Sequence, residues 1–265
     1  MTRLDARQVH DYFARPGTVS HWWHPENGPL RFHYDAELQV IRDCMAVDPR
    51  WRVVDVGTGR GRFGGYFAQA GCRVVGVDLN PEMLAAARET AERLGVADRF
   101  ELRLGSAEEL SGFTAGSFDT ALCMELFDHL PDLSPVLAAI RRTLTPDGRL
   151  LFTYVPSESL YGGLGNMYRW LRARAGGVGA LLSRTYSFAE ITAALDRHGF
   201  ALERHWGVGL LCVSAQTRLF QQNPVVRLLT AVARAEARRR PYYEGGRLAR
   251  RSAHVVGLAR ATEAP

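Results

Sequence analysis

The chain has 265 residues, of which 46% are hydrophobic and 23% are charged, the proportions of an ordinary globular protein. No apolar run approaches the roughly 20 residues of a membrane-spanning helix, and the first residues lack the apolar stretch of a signal peptide, so we expect one cytoplasmic domain over 1–265. The four cysteines are widely scattered, which excludes a disulfide framework and a zinc-binding spacing and predicts reduced, buried thiols.

The net charge of +5 is concentrated in one segment, and all 33 basic residues are arginine. Residues 218–251 contain nine arginines and two glutamates, a net charge of +7. A solvated helical face is the ordinary interpretation of such a run, while a homodimer surface and a contact with an anionic lipid-linked acceptor stay open. No nucleic-acid recognition motif accompanies the arginines, so we expect no nucleic-acid partner.

Residues 1–50 are rich in aromatic residues and histidine, and prolines and glycines interrupt them. This composition predicts short helices and turns, with one helix from Ala36 to Met45. We expect the segment to form a lid over the site that the following residues build.

Strand and helix then alternate. A tight turn at Thr145–Gly148 should lead into the fifth strand, and a capping box at Ser187–Glu190 should begin the last helix before the sixth. The predicted strands are 52–56, 73–78, 100–104, 118–124, 149–155, 200–206 and 252–259. The predicted helices run from Arg62 to Ala70, from Pro81 to before Gly95, from Ser134 to before Thr145 and from Ser187 to before Gly199. Alternation at this spacing predicts a parallel sheet with helices on both faces.

Two segments depart from this alternation. Residues 156–185 carry glycines, tyrosines and arginines and separate the two halves 51–155 and 186–265. The segment from Arg218 to Arg240 is predicted to be helical, with an apolar stripe along one side and arginines along the other.

A glycine-rich turn follows the first strand and carries the most information about function. Gly59, Gly61 and Gly64 satisfy the G-x-G-x-x-G fingerprint of dinucleotide sites, and Asp78 ends the second strand. Asp55, two residues before the first glycine, decides between ligands because a carboxylate there repels phosphate and attracts a cation. A nicotinamide-linked oxidoreductase is therefore disfavoured, and a cationic ligand is favoured.

This order of strand, D-x-G-x-G-x-G turn, helix and acidic strand end resembles the class I S-adenosylmethionine-dependent methyltransferases of the small-molecule type. The resemblance is strong over residues 50–155 and only architectural over 186–260. It implies a doubly wound, Rossmann-like α/β fold with a seven-stranded, mostly parallel sheet, its last strand antiparallel, and S-adenosylmethionine as cofactor. It also implies that 156–185 form an acceptor-binding cap with Tyr161, Tyr168, Trp170, Arg169 and Arg172, or a solvated cap without substrate contact.

The resemblance also implies roles for individual residues. The turn would approach the methionyl part of the cofactor, Asp55 would help to hold its ammonium group, and Asp78 would accept hydrogen bonds from both ribose hydroxyls. A lid aromatic, for which Tyr12 is the candidate, would cover the sulfonium. Ser106 stands where the family more usually has an aspartate. The remaining cofactor candidates are Gly57, Thr58, Gly59, Gly61, Leu79, Met83, Ala107 and Met124.

Strand four leads into Glu125-Leu126-Phe127-Asp128-His129, which resembles the family segment beside the transferred methyl. Glu125 and His129 are the catalytic candidates: His129 is either a general base or a residue that contacts the cofactor and backbone. Glu125, Asp128 and His129 also have the spacing of metal ligands in some relatives, but our prediction names no metal.

We therefore predict an enzyme that transfers a methyl group from S-adenosylmethionine to an oxygen or nitrogen of a small-molecule acceptor, either aromatic or anionic. The alternative is a methyltransferase-like scaffold that binds the cofactor without methyl transfer.

Overall fold

The computed structural model describes residues 6–15, 31–174, 184–212 and 223–262. Its centre is an eight-stranded sheet with the strand order β3-β2-β1-β4-β5-β8-β6-β7. The strands are β1 Arg52–Val56, β2 Arg73–Asp78, β3 Phe100–Leu104, β4 Phe118–Cys123, β5 Leu144–Tyr154, β6 Phe200–Val208, β7 Tyr243–Glu244 and β8 His254–Ala261.

The predicted fold class is confirmed. β1 to β5 pair in parallel, and β8 lies antiparallel between β5 and β6. The sheet contains one strand more than we predicted, because the two-residue β7 pairs antiparallel with β6 at the edge. Two residues without an alternating apolar pattern give no strand signal in the sequence.

Helices cover both faces of the sheet. They are α1 Ala6–Ala14, α2 Arg31–Cys44, α3 Arg62–Gln69, α4 Pro81–Arg93, α5 Ser134–Thr143, α6 Leu160–Arg174, α7 Phe188–Arg197, α8 Pro224–Arg239 and α9 Gly246–Arg250. Buried side chains of α5 and α7 form a core with one face of the strands, and those of α2 and α3 form a second core with the other. Successive residues of β1 alternate between these cores, as the period of a strand requires.

Helix caps explain why several helices begin where the sequence predicts. The Asn80 side chain accepts hydrogen bonds from the backbone N–H groups of Glu82 and Met83, and Pro81 fills the first helical position. Ser187 and Glu190 form the predicted capping box. The prediction for α2 was wrong at its start, since the helix begins at Arg31 and not at Ala36.

The predicted turn at Thr145–Gly148 needs a correction. Leu144 already pairs with Phe118, so the structure contains one longer strand, β5, from Leu144 onward. Arg149 pairs with Thr120, which leaves four residues of β5 opposite one residue of β4. The turn residues therefore form an irregularity inside the strand and not a connection before it.

The basic segment is partly described. Its helix, α8, begins at Pro224, while residues 213–222 lie outside the described residues. The apolar stripe is exposed, with side chains that are 39% to 65% accessible at Val225, Leu228, Leu229 and Val232. Within the described part of the chain, no helix has the length and apolar character to cross a membrane. As predicted, no disulfide forms, and Cys72, Cys123 and Cys212 are buried.

Candidate functional site

The glycine-rich turn lies where β1 ends, between β1 and α3. Gly57, Gly59 and Gly61 have φ angles of 69°, 53° and 75°, in the left-handed region that glycine adopts without steric cost. The N–H groups of Gly57 and Thr58 both donate to the Val77 carbonyl oxygen, at 2.8 and 3.0 Å. These bonds fix the turn against the end of β2, while a Cβ built on Gly59 would meet nothing closer than 4.0 Å. The turn therefore leaves open space at Gly59 for a ligand to approach its backbone.

Asp55 faces the inside of this turn and not an open ligand space, which corrects our expectation for its orientation. The residue is 2% exposed, and its Oδ2 accepts hydrogen bonds from Thr58 Oγ1 at 2.7 Å and from the Gly64 N–H at 3.0 Å. Burial raises the pKa of Asp55 to about 6, although these hydrogen bonds favour the ionised form. Asp55 and Thr58 hold the turn in shape from within.

Asp78 ends β2 and faces the same turn. Its Oδ2 accepts the Gly59 N–H and its Oδ1 accepts the Asn80 N–H, both at 2.9 Å. Burial raises the pKa of this carboxyl, and the backbone hydrogen bonds oppose that rise. Each carboxylate oxygen keeps a further lone pair, so Asp78 can accept two hydroxyl groups as well.

The residues predicted to surround an adenine lie beyond Asp78 and at the end of β3. Leu79 is half-buried, whereas Met83 is 3% exposed in the first turn of α4. Ser106 and Ala107 are also half-buried. The Ser106 hydroxyl accepts the Glu108 N–H at 3.2 Å, so this side chain stabilises its own turn in the structure.

Helix α1 contacts the residues that follow two strands, β2 and β4. The side-chain amide of Asn80 donates to the Phe13 carbonyl oxygen at 2.8 Å, and the Phe13 ring lies 4.9 Å from the His129 ring. Tyr12, the predicted lid residue, packs edge-on against Phe13 at 5.3 Å. The sequence analysis missed Phe13, which makes both contacts. Trp22 and Trp23 of the same aromatic-rich segment lie outside the described residues.

The residues after β4 have an unusual backbone. Met124 is 5% exposed, and Glu125 has a φ of 57°, a left-handed conformation that is costly for a residue with a side chain. The Glu125 N–H donates to Thr153 Oγ1 at 2.6 Å, a hydroxyl on the neighbouring β5. The side chain of Glu125 is buried in this conformation.

Glu125 meets Glu37 of α2 and His254 of β8. The metal-binding atoms of these three residues lie within 4.8 Å of one another, and Glu37 Oε1 is 2.7 Å from His254 Nδ1. Arg62, the first residue of α3, places its guanidinium 3.8 Å from Glu37 Oε2. Among the described residues, this is the group of acids and histidine that could hold a metal ion, and Asp128 and His129, which have the metal-ligand spacing with Glu125 in the sequence, are not part of it.

Burial controls protonation in this cluster. It raises the pKa of Glu37 to about 7, although Arg62 favours the ionised form. Burial and the neighbouring Glu37 raise the pKa of Glu125 well above its usual range. Burial also lowers the pKa of His254, against the attraction of Glu125 and Asp128. Burial thus favours the neutral form of each of the three groups, and the Arg62 guanidinium favours the ionised form of Glu37.

His129 occupies a different position. It ends a short 3-10 helix, Phe127–His129, and its Nε2 lies 3.5 Å from Asp128 Oδ2. Its side chain is 31% exposed beneath the Phe13 ring. His129 therefore lies on the lid side of the site.

Of the predicted cap residues whose side chains the structure describes, one lies at the cluster and the other is exposed. Tyr161 contacts the His254 ring edge-on at 5.7 Å, whereas the Trp170 side chain is 48% exposed. The side chains of Tyr168, Arg169 and Arg172 lie outside the described part of the structure.

Comparisons with known proteins agree with this arrangement. Residues 54–152 match a family described as a methyltransferase domain. Over this range the chain is similar to S-adenosylmethionine-dependent methyltransferases of class I. The matched range runs from β1 to β5 and so contains the turn, Asp78 and the segment after β4.

Relatives and solved structures extend the comparison. The chain is 37% identical to the ubiquinone biosynthesis O-methyltransferase of Xanthomonas euvesicatoria over 145 residues, which are 54% of this chain and 59% of that protein. The chain thus spans about three fifths of the length of this curated relative. A possible histamine N-methyltransferase from Thermotoga maritima has a TM-score of 0.66 at 21% identity and covers 96% of this chain and 100% of its own. The [4+2]-cyclase SpnF has a TM-score of 0.55 at 18% identity, covering 87% and 81% respectively, so the likeness to both structures is one of fold.

S-Adenosylmethionine is the cofactor of this methyltransferase family, and the observed donors and acceptors fit it. Asp78 offers a bidentate carboxylate for ribose hydroxyls, and the open backbone at Gly59 admits the methionyl part.

Proposed function

We propose that this methyltransferase transfers the methyl group of S-adenosylmethionine to an oxygen or nitrogen of a small-molecule acceptor. One observation carries the proposal: the cofactor cradle of Gly59 and Asp78 and the polar cluster of Glu37, Glu125 and His254 lie at the same edge of the sheet. The carboxyl ends of β1, β2 and β4 meet there, and His254 begins β8 beside the end of β5. Ligands of open α/β sheets bind at this edge.

The cofactor supplies an electrophilic methyl group on a sulfonium. The protein must hold the acceptor atom in line with that methyl group and exclude water, and alignment alone contributes about 7–11 kcal/mol in well-oriented reactions. Helix α1 is suited to the exclusion of water, because Phe13 closes the gap between Asn80 and His129.

We assign the cofactor contacts as follows. Asp78 binds the ribose hydroxyls, and Asp55 contributes negative potential to the ammonium group from below the turn. Tyr12 and Met124 border the sulfonium from the lid and from the sheet. The turn residues Gly57, Thr58, Gly59 and Gly61 surround the methionyl part, and Leu79, Met83, Ser106 and Ala107 surround the adenine.

Glu125 and His129 border the acceptor in this proposal. Burial raises the pKa of Glu125 and so favours its protonated form, which can donate a hydrogen bond. The relatives named as ubiquinone biosynthesis O-methyltransferases favour oxygen over nitrogen as the acceptor atom. The aromatic rings of Phe13 and Tyr161 on either side of the site favour an aromatic acceptor.

The first experiment is calorimetric titration of the purified chain with S-adenosylmethionine, S-adenosylhomocysteine and NADH. We expect the first two to bind and NADH not to bind. Asp78→Asn should weaken both by about 10- to 150-fold, because a hydrogen bond to a charged group contributes about 1.5–3 kcal/mol. The matched control is Asp98→Asn, since Asp98 is 71% exposed on the surface.

The second experiment measures S-adenosylhomocysteine release with a panel of phenols, alcohols and amines. Release that requires one of them supports methyl transfer. Tight cofactor binding with no release for any acceptor would favour the scaffold alternative, and binding of NADH alone would contradict the assignment of the cofactor.

A further inference from the structure

Exposed apolar side chains are concentrated on two helices. Within the described part of the chain, twelve large apolar residues are exposed, and nine of them belong to α6 and α8. Single exposed apolar residues are ordinary, whereas a group of them indicates a surface that another body covers. Of the two helices, α8 is the one whose side chains the structure describes throughout.

The side chains of α8 form two separate apolar rows. One row is buried or half-buried and packs against the protein; its members, at intervals of three or four, are Val226, Thr230, Ala233 and Ala237. The other row is the exposed apolar stripe, which consists of Val225, Leu228, Leu229 and Val232. At 3.6 residues per turn, the centres of the two rows lie about 120° apart around the helix. The helix is therefore held in place by one row while the stripe stays accessible.

The charges of α8 are distributed unequally between its outer and inner sides. Its four arginines, and Arg240 directly after the helix, are all exposed. Its single acid, Glu236, is directed toward the protein. The Glu236 carboxylate accepts the N–H groups of Leu210 and Leu211 at 3.1 and 3.0 Å and the Tyr243 hydroxyl at 2.8 Å. The outer side of α8 thus presents apolar and positively charged side chains.

We infer that α8 binds the surface of an anionic lipid bilayer, with the apolar stripe below the lipid headgroups and the arginines among them. A helix with an apolar face and arginines binds a bilayer through buried apolar area and through attraction to anionic lipids. With 16 residues and four arginines, α8 is too short and too highly charged to span a bilayer, so the contact is peripheral. The inference concerns a surface of the molecule and goes beyond the proposed methyl transfer.

A second copy of the chain is the other body that could cover the stripe. In a two-fold symmetric dimer the same patch meets itself, so the arginines of both copies would approach one another. Lipid phosphates are complementary to this charge. Residues 218–251 carry a net charge of +7 and the whole chain +5, so the remaining residues together carry −2. This uneven distribution orients the side of the molecule that contains α8 toward an anionic surface.

The test is co-sedimentation of the full chain with phosphatidylcholine vesicles that contain either no phosphatidylglycerol or one third of it. We expect binding only to the vesicles with phosphatidylglycerol. Binding should be weaker in about 0.5 M than in about 0.1 M salt, because salt shortens the range of charge attraction.

Two variants separate the apolar and the charged contributions. Leu228, at 65% the most exposed residue of the stripe, is replaced in Leu228→Glu, which should lower the partition coefficient about tenfold or more because burial of a leucine side chain is lost. The double variant Arg238→Gln, Arg239→Gln should lower it about 25-fold in low salt, or about fivefold for each arginine. The controls are Leu248→Glu and Arg197→Gln, which change exposed residues of the same types on α9 and α7 and should bind as wild type does. All variants should unfold at the wild-type temperature, because the altered side chains are exposed.

Several results would overturn the inference. Binding to neither kind of vesicle, or equal binding of Leu228→Glu and wild type, would exclude α8 as a lipid-binding surface. Equal binding to both kinds of vesicle, independent of salt, would contradict the role of the arginines. A wild-type dimer in light scattering that Leu228→Glu converts to a monomer, without vesicle binding, would identify the stripe as an interface between copies. None of these results bears on methyl transfer in solution, so each would leave the proposed function intact.

Discussion

Asp55→Asn should flatten the dependence of stability on pH. Burial raises the pKa of this carboxyl from an ordinary 3.8 to about 6, and the residue is 2% exposed, so solvent does not screen it. A group whose pKa is higher in the folded state binds protons more tightly there. Its contribution to stability is therefore complete below pH 3.8 and is lost as the pH rises through 6. At 1.36 kcal/mol per pKa unit, the rise corresponds to about 3 kcal/mol.

The assay is urea unfolding of wild type and Asp55→Asn at pH 4 and pH 7.5. The difference in unfolding free energy between the variants should change by about 2.4 kcal/mol between the two pH values, with wild type relatively less stable at pH 7.5. Comparing two pH values cancels the pH-independent cost of altering the hydrogen bonds to Thr58 and Gly64. The exposed Asp98→Asn is the control. Parallel pH profiles for wild type and Asp55→Asn would refute the reasoning.

Two further predictions concern the turn and the lid. Gly64→Ala should destabilise the chain by about 1–3 kcal/mol by overpacking, because a Cβ would lie 2.5 Å from the Phe100 ring and 2.8 Å from Asp55 Oδ2. A Cβ built on Gly163 in α6 meets nothing within 4 Å, so Gly163→Ala should be neutral or stabilising. Thermal unfolding of the Gly64→Ala and Gly163→Ala variants measures this difference. Phe13→Ala should weaken S-adenosylhomocysteine binding and leave the unfolding temperature of the sheet unchanged; equal affinity in a titration would contradict a lid role for α1.

The sheet was largely predictable because its signals are local. Valine-rich runs predicted β1 and β2 at their observed limits, and the short run from Phe100 to Leu104 predicted β3. Asn80 and Pro81 likewise marked the start of α4. The cofactor side of the site was predictable for the same reason, since the turn and Asp78 belong to one continuous strand–turn–helix–strand unit.

The acceptor side was not predictable from spacing. Glu37 and His254 are 217 residues apart, and only the packing of α2 against the start of β8 brings them together. The spacing of Glu125, Asp128 and His129 suggested a convergent group, but the ligand atoms that lie together in the structure belong to Glu125, Glu37 and His254. One signal was present: a carboxylate at Glu37 interrupts the apolar face that Ala36, Val40 and Ile41 form on α2.

A cationic cofactor accounts for the buried acids of the site. The pKa values of Asp55, Asp78 and Glu37 are all raised by burial, so each carboxylate costs stability while its site holds no cation. The cofactor carries an ammonium and a sulfonium, and both become more strongly bound as these groups ionise. S-Adenosylmethionine should therefore stabilise the chain more at pH 8 than at pH 5.5. S-Adenosylhomocysteine has lost the sulfonium charge and should show a smaller difference, so identical shifts for the two ligands would contradict an electrostatic role for these acids.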